Sequence, residues 1–172
     1  MKITESKINA HSGTSFNVTK TAGVSKIDFG GNKWIENADY YGEILLGDCK
    51  NCTKINALYD GLSFDKILIG GLGLGLLPEY AKSVKNCSVI DVIENNKELI
   101  DYIDFIDSDI NVIEGDMYTY NSNKKYDIIV VDLWWYENEI TEQNKSDLLA
   151  NWSDNLNAGG KIILPIAVMS LN

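Results

Sequence analysis

Five short runs of isoleucine and valine, spread through the last two-thirds of the chain, decide what it can fold into. They are Lys66–Ile69, Val89–Ile93, Ile110–Ile113, Asp127–Val131 and Lys161–Ile166. Each is apolar on consecutive positions, not on alternate ones. That is how a strand buried on both faces reads, and such strands belong to parallel sheets. Helix-like stretches separate them, at Leu76–Ser83, Asn96–Ile106 and Thr141–Leu156. Strand and helix in alternation, joined by right-handed crossovers, predict an α/β, doubly wound parallel sheet of the Rossmann-like kind with about five strands.

The first 60 residues differ in character. "KIDFGGNKWIEN" reads as a β-hairpin, because Gly30-Gly31-Asn32 supplies positive-φ residues between two short alternating runs. "ADYYGEILL" reads as leading into a helix, and a second helix is expected from near Asn51 to a glycine stop at Gly61. The chain thus divides into an N-terminal hairpin and helix extension over residues 1–60 and a ligand-binding α/β domain over residues 61–172.

Net charge narrows the partners. With 25 acids against 15 bases the chain carries −10, which repels phosphate backbones and anionic membranes, so neither nucleic acid nor a membrane is expected. No apolar run approaches the ~20 residues that span a bilayer. "MKITESKINAHSG" lacks the apolar core of a signal peptide, which points to the cytoplasm. Three cysteines make no disulfide framework. Cys49 and Cys52 form a CxxC that reads as a redox pair, as half a zinc site, or as two reduced residues beside a helix start. There is no second CxxC and His11 is the one histidine, so no metal is expected. His11 lies in a polar stretch and reads as doing nothing specific. Lys124 and Lys125 read as a solvated turn.

The stretch "KILIGGLGLGLLPEY" joins the first of the five runs to a helix. In a parallel α/β unit that turn lies at the carboxyl edge of the sheet, where ligands bind. Glycine there permits positive φ and close approach of a ligand, and the helix behind it offers free N–H groups. Gly71, Gly73 and Gly75 fit G-x-G-x-G, whereas the dinucleotide pattern G-x-G-x-x-G needs a small residue where Leu76 stands. A tight turn without any ligand would use the same glycines.

Acids end the next three runs. Glu94 follows Gly71 by 23 residues, where a carboxylate accepts hydrogen bonds from both ribose hydroxyls of a nucleoside. A solvated helix start explains it too, and Asp91 in the same run competes for the role. Asp116 leaves the third run, placed to accept from an exocyclic adenine amine, with Met117 packed on the ring; Gly115-Asp116 is also good turn chemistry. Asp132 ends the fourth run, and Trp134, Trp135 and Tyr136 follow it as walls of an aromatic pocket or as an apolar cap.

In this order and spacing the sequence resembles the S-adenosylmethionine-binding class I methyltransferase fold, and within it the spermidine-synthase-like branch. "ILIGGLGLGLLPEY" is similar to that branch's strand–glycine–helix segment, and "VIDVIENN" to its second strand, ending in the ribose-binding acid at Glu94. "VIEGDMYTY" resembles the segment that sets Asp116 and Met117 on the adenine. "YDIIVVDL" puts Asp132 at the family's active-site aspartate, and "NAGGKIIL" is similar to the start of its fifth strand. Upstream, "IDFGGNKWIENADYYGEILLG" resembles the hairpin and Y-H-E segment, with Tyr41 and Glu43 matching.

The resemblance implies S-adenosylmethionine, or its decarboxylated form, as cofactor. It also implies a transferase, with Asp132 and Tyr41 as catalytic residues and a small molecule as acceptor. Three positions depart from the branch. Gly73 stands where it has an aspartate, Asp132-Leu133-Trp134-Trp135 lacks the second acid of D-x-x-D, and Gly42 replaces the middle residue of Y-H-E. Those losses remove partners for a diamine, so methyl transfer ranks ahead of aminopropyl transfer. A shortened protein that binds an adenine nucleoside without turnover is the third reading. The fold is expected to lack the family's last two strands, which would leave a sheet edge bare or covered by the N-terminal hairpin or another subunit, and a homo-oligomer is the favoured cover.

Overall fold

The computed structural model describes residues 8–21, 24–31, 33–36, 64–83, 86–134, 137–165 and 169–171. The expected helices near residues 39–61, the Cys49–Cys52 pair, Tyr41, Glu43, Trp135 and Tyr136 lie outside them.

Two sheets form. The first is a four-stranded antiparallel meander of β1 (His11–Ser12), β2 (Asn17–Thr21), β3 (Val24–Asp28) and β4 (Trp34–Glu36). The expected hairpin is its β3–β4 half. Gly30 and Gly31 turn at φ 81° and 58°, and Phe29 and Lys33 close the loop through an N–H···O bond of 2.9 Å.

The second sheet holds β5 (Lys66–Gly70), β6 (Val89–Glu94), β7 (Ile110–Glu114), β8 (Tyr126–Val131), β9 (Leu156–Leu164) and β10 (Met169–Leu171), in the order β10-β9-β8-β5-β6-β7. The first five are parallel, as the consecutive apolar runs predict, and β10 pairs antiparallel with β9. Both faces are buried. Ile67, Ile69, Ile90, Val92, Ile128, Val130 and Ile163 belong to one core cluster. Leu68, Ile93, Ile129, Val131, Ile162 and Leu164 belong to the other.

The first core also takes in Ile8, Phe16, Val18 and Ile27 of the N-terminal sheet together with Leu99 and Ile103. The two sheets therefore share a core. The antiparallel β10 differs from the expectation that the chain stops at a bare fifth strand. A three-residue strand, β10, forms that edge in place of β9, and short edge strands resist further pairing.

Among the described residues, three helices flank the large sheet: α1 (Leu76–Ser83), α2 (Lys97–Tyr102) and α3 (Glu142–Trp152). The sequence predicts α1 to the residue. Helix α2 is shorter than expected. Asn96 caps it, with Leu99 N–H donating to Asn96 Oδ1 at 3.1 Å, and it stops before Ile103. Its last turn carries no basic residue, and acids at a helix C-terminus oppose the macrodipole.

Thr141 opens α3 with a reciprocal capping box to Asn144. The expected helix to Leu156 instead gives way to a 3-10 turn, Ser153–Asn155, and β9 begins early. Gly160 allows this, since a Cβ there would meet the carbonyls of Asn157 and Asp127 at 3.0 Å. Among the described residues no helix is long and apolar enough to cross a membrane.

Candidate functional site

The strand order reverses between β5 and β8, and in an open α/β sheet ligands bind at the carboxyl edge beside such a switch point. Three backbone hydrogen bonds bring the strand exits together there. Asp132 N–H donates to Gly70 O at 2.9 Å, Gly71 N–H to Ile93 O at 2.9 Å, and Gly115 N–H to Glu94 O at 3.0 Å. The exits of β8, β5, β6 and β7 thus stand in one row.

The glycine stretch turns at this row. Gly71, Gly73 and Gly75 hold φ of 95°, 54° and 75°, a region that other residues enter only with strain. Gly75 N–H closes the turn on Leu72 O at 2.9 Å. Close packing requires the missing side chains as well. A Cβ on Gly71 would stand 2.7 Å from Asp132 O, and one on Gly75 would stand 2.8 Å from Ile106 Cγ2.

Glu94 is half-buried beside the loop. Leu72 N–H donates to its Oε2 at 3.0 Å and Asn96 N–H to its Oε1 at 2.8 Å. Each oxygen therefore takes one backbone donor and keeps capacity for another, which is the arrangement a vicinal diol needs. Asp91, its rival in the sequence, faces elsewhere. It is 1% exposed and accepts from Lys124 Nζ at 2.8 Å, Asn111 Nδ2 at 2.7 Å and Tyr126 Oη at 2.7 Å. Burial alone would raise its pKa, but the hydrogen bonds from Lys124, Asn111 and Tyr126 outweigh that and hold it below the ordinary carboxylate value. Asp91 is the buried member of an ion pair whose other member, Lys124, stays half-exposed in its turn.

Asp116 is exposed, and its Oδ1 accepts Tyr118 N–H at 2.8 Å while its carbonyl accepts Thr119 N–H and Tyr120 N–H. The turn chemistry is present, and Oδ2 takes no partner among the described residues. Met117 lies deeper in the same turn. It is 2% exposed, and its Cγ and Sδ lie 3.1 Å from where a Cβ on Gly70 would stand. Its side chain is a floor beneath Gly70, not an open platform for a ring. Its carbonyl accepts Trp152 Nε1–H at 2.8 Å and Asn151 Nδ2–H at 3.2 Å, which ties the loop to the last turn of α3.

Asp132 is half-buried, and its carboxyl has no hydrogen-bond or ion-pair partner among the described residues. Burial pushes its pKa up to about 7. A carboxyl with that value can take up a proton near neutrality. Leu133, next to it, is the one exposed large hydrophobic side chain among the described residues. Its Cδ2 lies 3.5 Å from the Cβ position of Gly71. Trp134 is half-buried against the second core.

The sequence did not single out the contact between the N-terminal sheet and α2. Thr14 and Ser15 donate from backbone and hydroxyl to Glu98, at 2.6–3.2 Å, and His11 Nε2 lies 3.2 Å from the same carboxylate. His11 also stacks on Phe16 at 4.8 Å between ring centroids, so it has a structural place after all. The readable signal is "ENNKE", an N-cap asparagine followed by a first-turn glutamate; its partner turn 80 residues away is not readable. Among the described residues no group of three or more His, Cys, Asp and Glu side chains is placed to hold a metal.

These features fit an adenosine-bearing group: a glycine notch and, among the described residues, a carboxylate with both oxygens half-free and an unpartnered carboxyl alongside. No family model and no curated protein matches the chain. Solved structures do. The chain is similar to the glycopeptide N-methyltransferase MtfA complexed with S-adenosyl-L-homocysteine, with 19% identity, TM-score 0.53, and 72% of this chain and 51% of that one covered. It is likewise similar to the plantazolicin methyltransferase BpumL in complex with a monoazolic desmethylPZN analog and S-adenosylhomocysteine, at 22% identity and TM-score 0.51, covering 72% and 48%. MtfA has also been solved with S-adenosyl-L-methionine and with sinefungin. This chain spans about half the length of those proteins. At such identities the likeness concerns the fold, and the chain has the Rossmann-like α/β fold of these methyltransferases, carried with an N-terminal antiparallel sheet.

Proposed function

We propose that the protein binds S-adenosylmethionine at the β5 exit and transfers its methyl group to a small-molecule nucleophile. The observation that carries this is the pairing of Glu94 with the glycine loop. Its carboxylate is held by Leu72 N–H and Asn96 N–H yet keeps an acceptor position on each oxygen. Gly71, Gly73 and Gly75 give the adenosyl and amino-acid parts room against the backbone, Asp116 accepts from the adenine amine, and Met117 shapes the floor.

A sulfonium methyl is the electrophile that the cofactor supplies. The chain has to orient the acceptor and receive its proton. Asp132, ionised above neutral pH, takes the proton from the acceptor's N–H or O–H, and Leu133 and Trp134 offer the acceptor an apolar wall. Tyr41 is assigned by resemblance to the far side of the pocket, across from Asp132. A homo-oligomer and a cytoplasmic location belong to this reading as expectations.

Aminopropyl transfer from decarboxylated cofactor is the rival within the spermidine-synthase-like branch. It has less support, because Gly73 and Trp135 stand where that branch has acids. Thermal shift and calorimetry with S-adenosylmethionine, S-adenosylhomocysteine, decarboxylated S-adenosylmethionine and NAD test the proposal. An adenosyl ligand at 100 times its Kd should stabilise the protein by ~2.7 kcal/mol, and NAD should not. Indifference to all adenosyl ligands would remove the proposal. Preference for the decarboxylated form would transfer it to the rival, and binding without turnover on any acceptor would leave a binding protein.

A further inference from the structure

We propose that Ser15 and Glu98, acting through Asn96, are positioning residues that set the Glu94 carboxylate for a ribose, so that the N-terminal sheet presets the cofactor site. The inference rests on the assignment of Glu94 to the ribose.

Glu94 has two anchors, and one of them is Asn96 N–H at 2.8 Å. Asn96 is also the N-cap of α2, so the anchor sits wherever the first turn of that helix sits. Helix α2 has six residues, well short of the ~12–15 at which a helix becomes even marginal by itself in water. Contacts from outside must place it, and the turn between β1 and β2 provides them.

Asn96 Nδ2 donates to Ser15 Oγ at 3.1 Å, and Ser15 Oγ, whose one proton goes to Glu98, also lies 3.2 Å from Asn96 Oδ1. Two residues on, Glu98 takes Thr14 N–H at 2.9 Å, Thr14 Oγ1–H at 2.6 Å, Ser15 N–H at 3.0 Å and Ser15 Oγ–H at 2.8 Å. The grip is close. A Cβ on Gly13 would stand 1.6 Å from Glu98 Oε1, so the turn reaches the carboxylate only because residue 13 has no side chain. The path Ser15–Asn96–Glu94–Leu72 then runs unbroken into the glycine loop. Releasing the outer grip lets the first turn of α2 shift, withdraws Asn96 N–H, and leaves Glu94 on one anchor.

The full chain with Glu98→Ala, and separately with Ser15→Ala, tests this. Two quantities are measured: the backbone amide resonances of Leu72 and Asn96 without ligand, and the Kd for S-adenosylhomocysteine against that for its 2′-deoxyribose analogue. Glu98→Ala should shift both amides and cut the preference for the ribose by about fivefold, the worth of one net hydrogen bond. Ser15→Ala should do the same to a smaller degree, and it answers the question if Glu98→Ala fails to fold.

Loss of affinity shared equally by the two ligands, or unmoved amides, would mean that the clamp is only structural and would overturn the proposal. If the unsubstituted protein binds neither ligand, the cofactor reading itself fails and this one falls with it. If it binds both and the preference survives in the variants, the cofactor reading stands and only the positioning role is lost.

Discussion

Gly71 lies so close to Asp132 that a Cβ on the glycine would stand 2.7 Å from the aspartate's carbonyl oxygen, and the glycine holds φ at 95°. The obstacle is backbone, which cannot rotate out of the way as a side chain does. Gly71→Ala is therefore expected to destabilise the protein by ~1–3 kcal/mol for the left-handed backbone, with a further steric cost. It should also weaken S-adenosylhomocysteine binding by at least about tenfold. Urea unfolding and calorimetry on the same sample check both; a variant as stable and as tightly binding as the parent would refute the close approach.

Desolvation of the Asp132 carboxyl makes stability depend on pH in a defined direction. Its folded pKa is raised to about 7, while an unfolded aspartate titrates near ~3.9. The folded state thus keeps the proton that the unfolded chain has lost, and stability falls as pH rises across that interval and levels off above 7. At ~1.4 kcal/mol per unit the loss reaches at most ~4 kcal/mol. Asp132→Asn should equal the parent in stability near pH 4 and exceed it by a growing margin up to pH 7. The same variant should lose methyl transfer, and in the parent kcat/KM should climb with pH to a plateau with a midpoint near 7. A stability difference that is flat with pH would show that Asp132 is not desolvated.

How much of this was legible in the sequence follows from the range of the interactions involved. The parallel strands were readable because burial on both faces writes itself into consecutive positions, as in Ile67, Leu68 and Ile69. The exits Gly71, Glu94, Asp116 and Asp132 were readable because each lies within three residues of the end of such a run. Partnerships across the sheet were not. Nothing adjacent to Asp91 announces Lys124, which lies 33 residues on, and the local pattern around Lys124 and Lys125 looks like an ordinary polar turn. The place of the Met117 side chain was out of reach for a related reason. Its position after Asp116 suggested a ligand contact, whereas the absence of a Cβ at Gly70 opened a core space that its side chain fills. Helix α2 ended early because its apolar periodicity through Ile106 says nothing of the acids opposing its last turn.

The Asp91 cluster should carry more stability than any exposed ion pair in the molecule. Tyr126→Phe removes the hydroxyl that donates to Asp91 at 2.7 Å and should cost about 1–3 kcal/mol, the range for leaving a buried acceptor short of a partner. Lys124→Met should cost ~2 kcal/mol, below the ~3–5 kcal/mol of a fully buried pair because the lysine is half-exposed. The folded pKa of Asp91 is lowered. The contribution is therefore full above the ordinary carboxylate pKa and fades as pH falls below it, and the penalty of Lys124→Met should shrink in acid. Lys97, paired with Asp101 on the exposed face of α2, is the control: Lys97→Met should change stability by less than ~0.5 kcal/mol. Equal effects at the two lysines would mean that Asp91 is not the buried partner the structure describes.

The contact between the N-terminal sheet and α2 should open in acid. Hydrogen bonds from Thr14, then from Ser15, lower the pKa of Glu98 to about 2, against an unfolded value near ~4.3. A depressed carboxylate stabilises the folded state at every pH above its unfolded value, and that contribution disappears as pH falls from about 4.5 to 2. Amide exchange in Asn17–Thr21 should therefore accelerate over this interval ahead of exchange in Lys66–Gly70, whose strand is central in the large sheet. Glu98→Gln keeps an acceptor but has no charge to titrate, so its exchange in the same segment should begin faster and change little with pH once intrinsic rates are divided out. If the parent and Glu98→Gln follow the same acid profile, another group controls the contact, and the His11–Glu98 pair at 3.2 Å would be the next to vary.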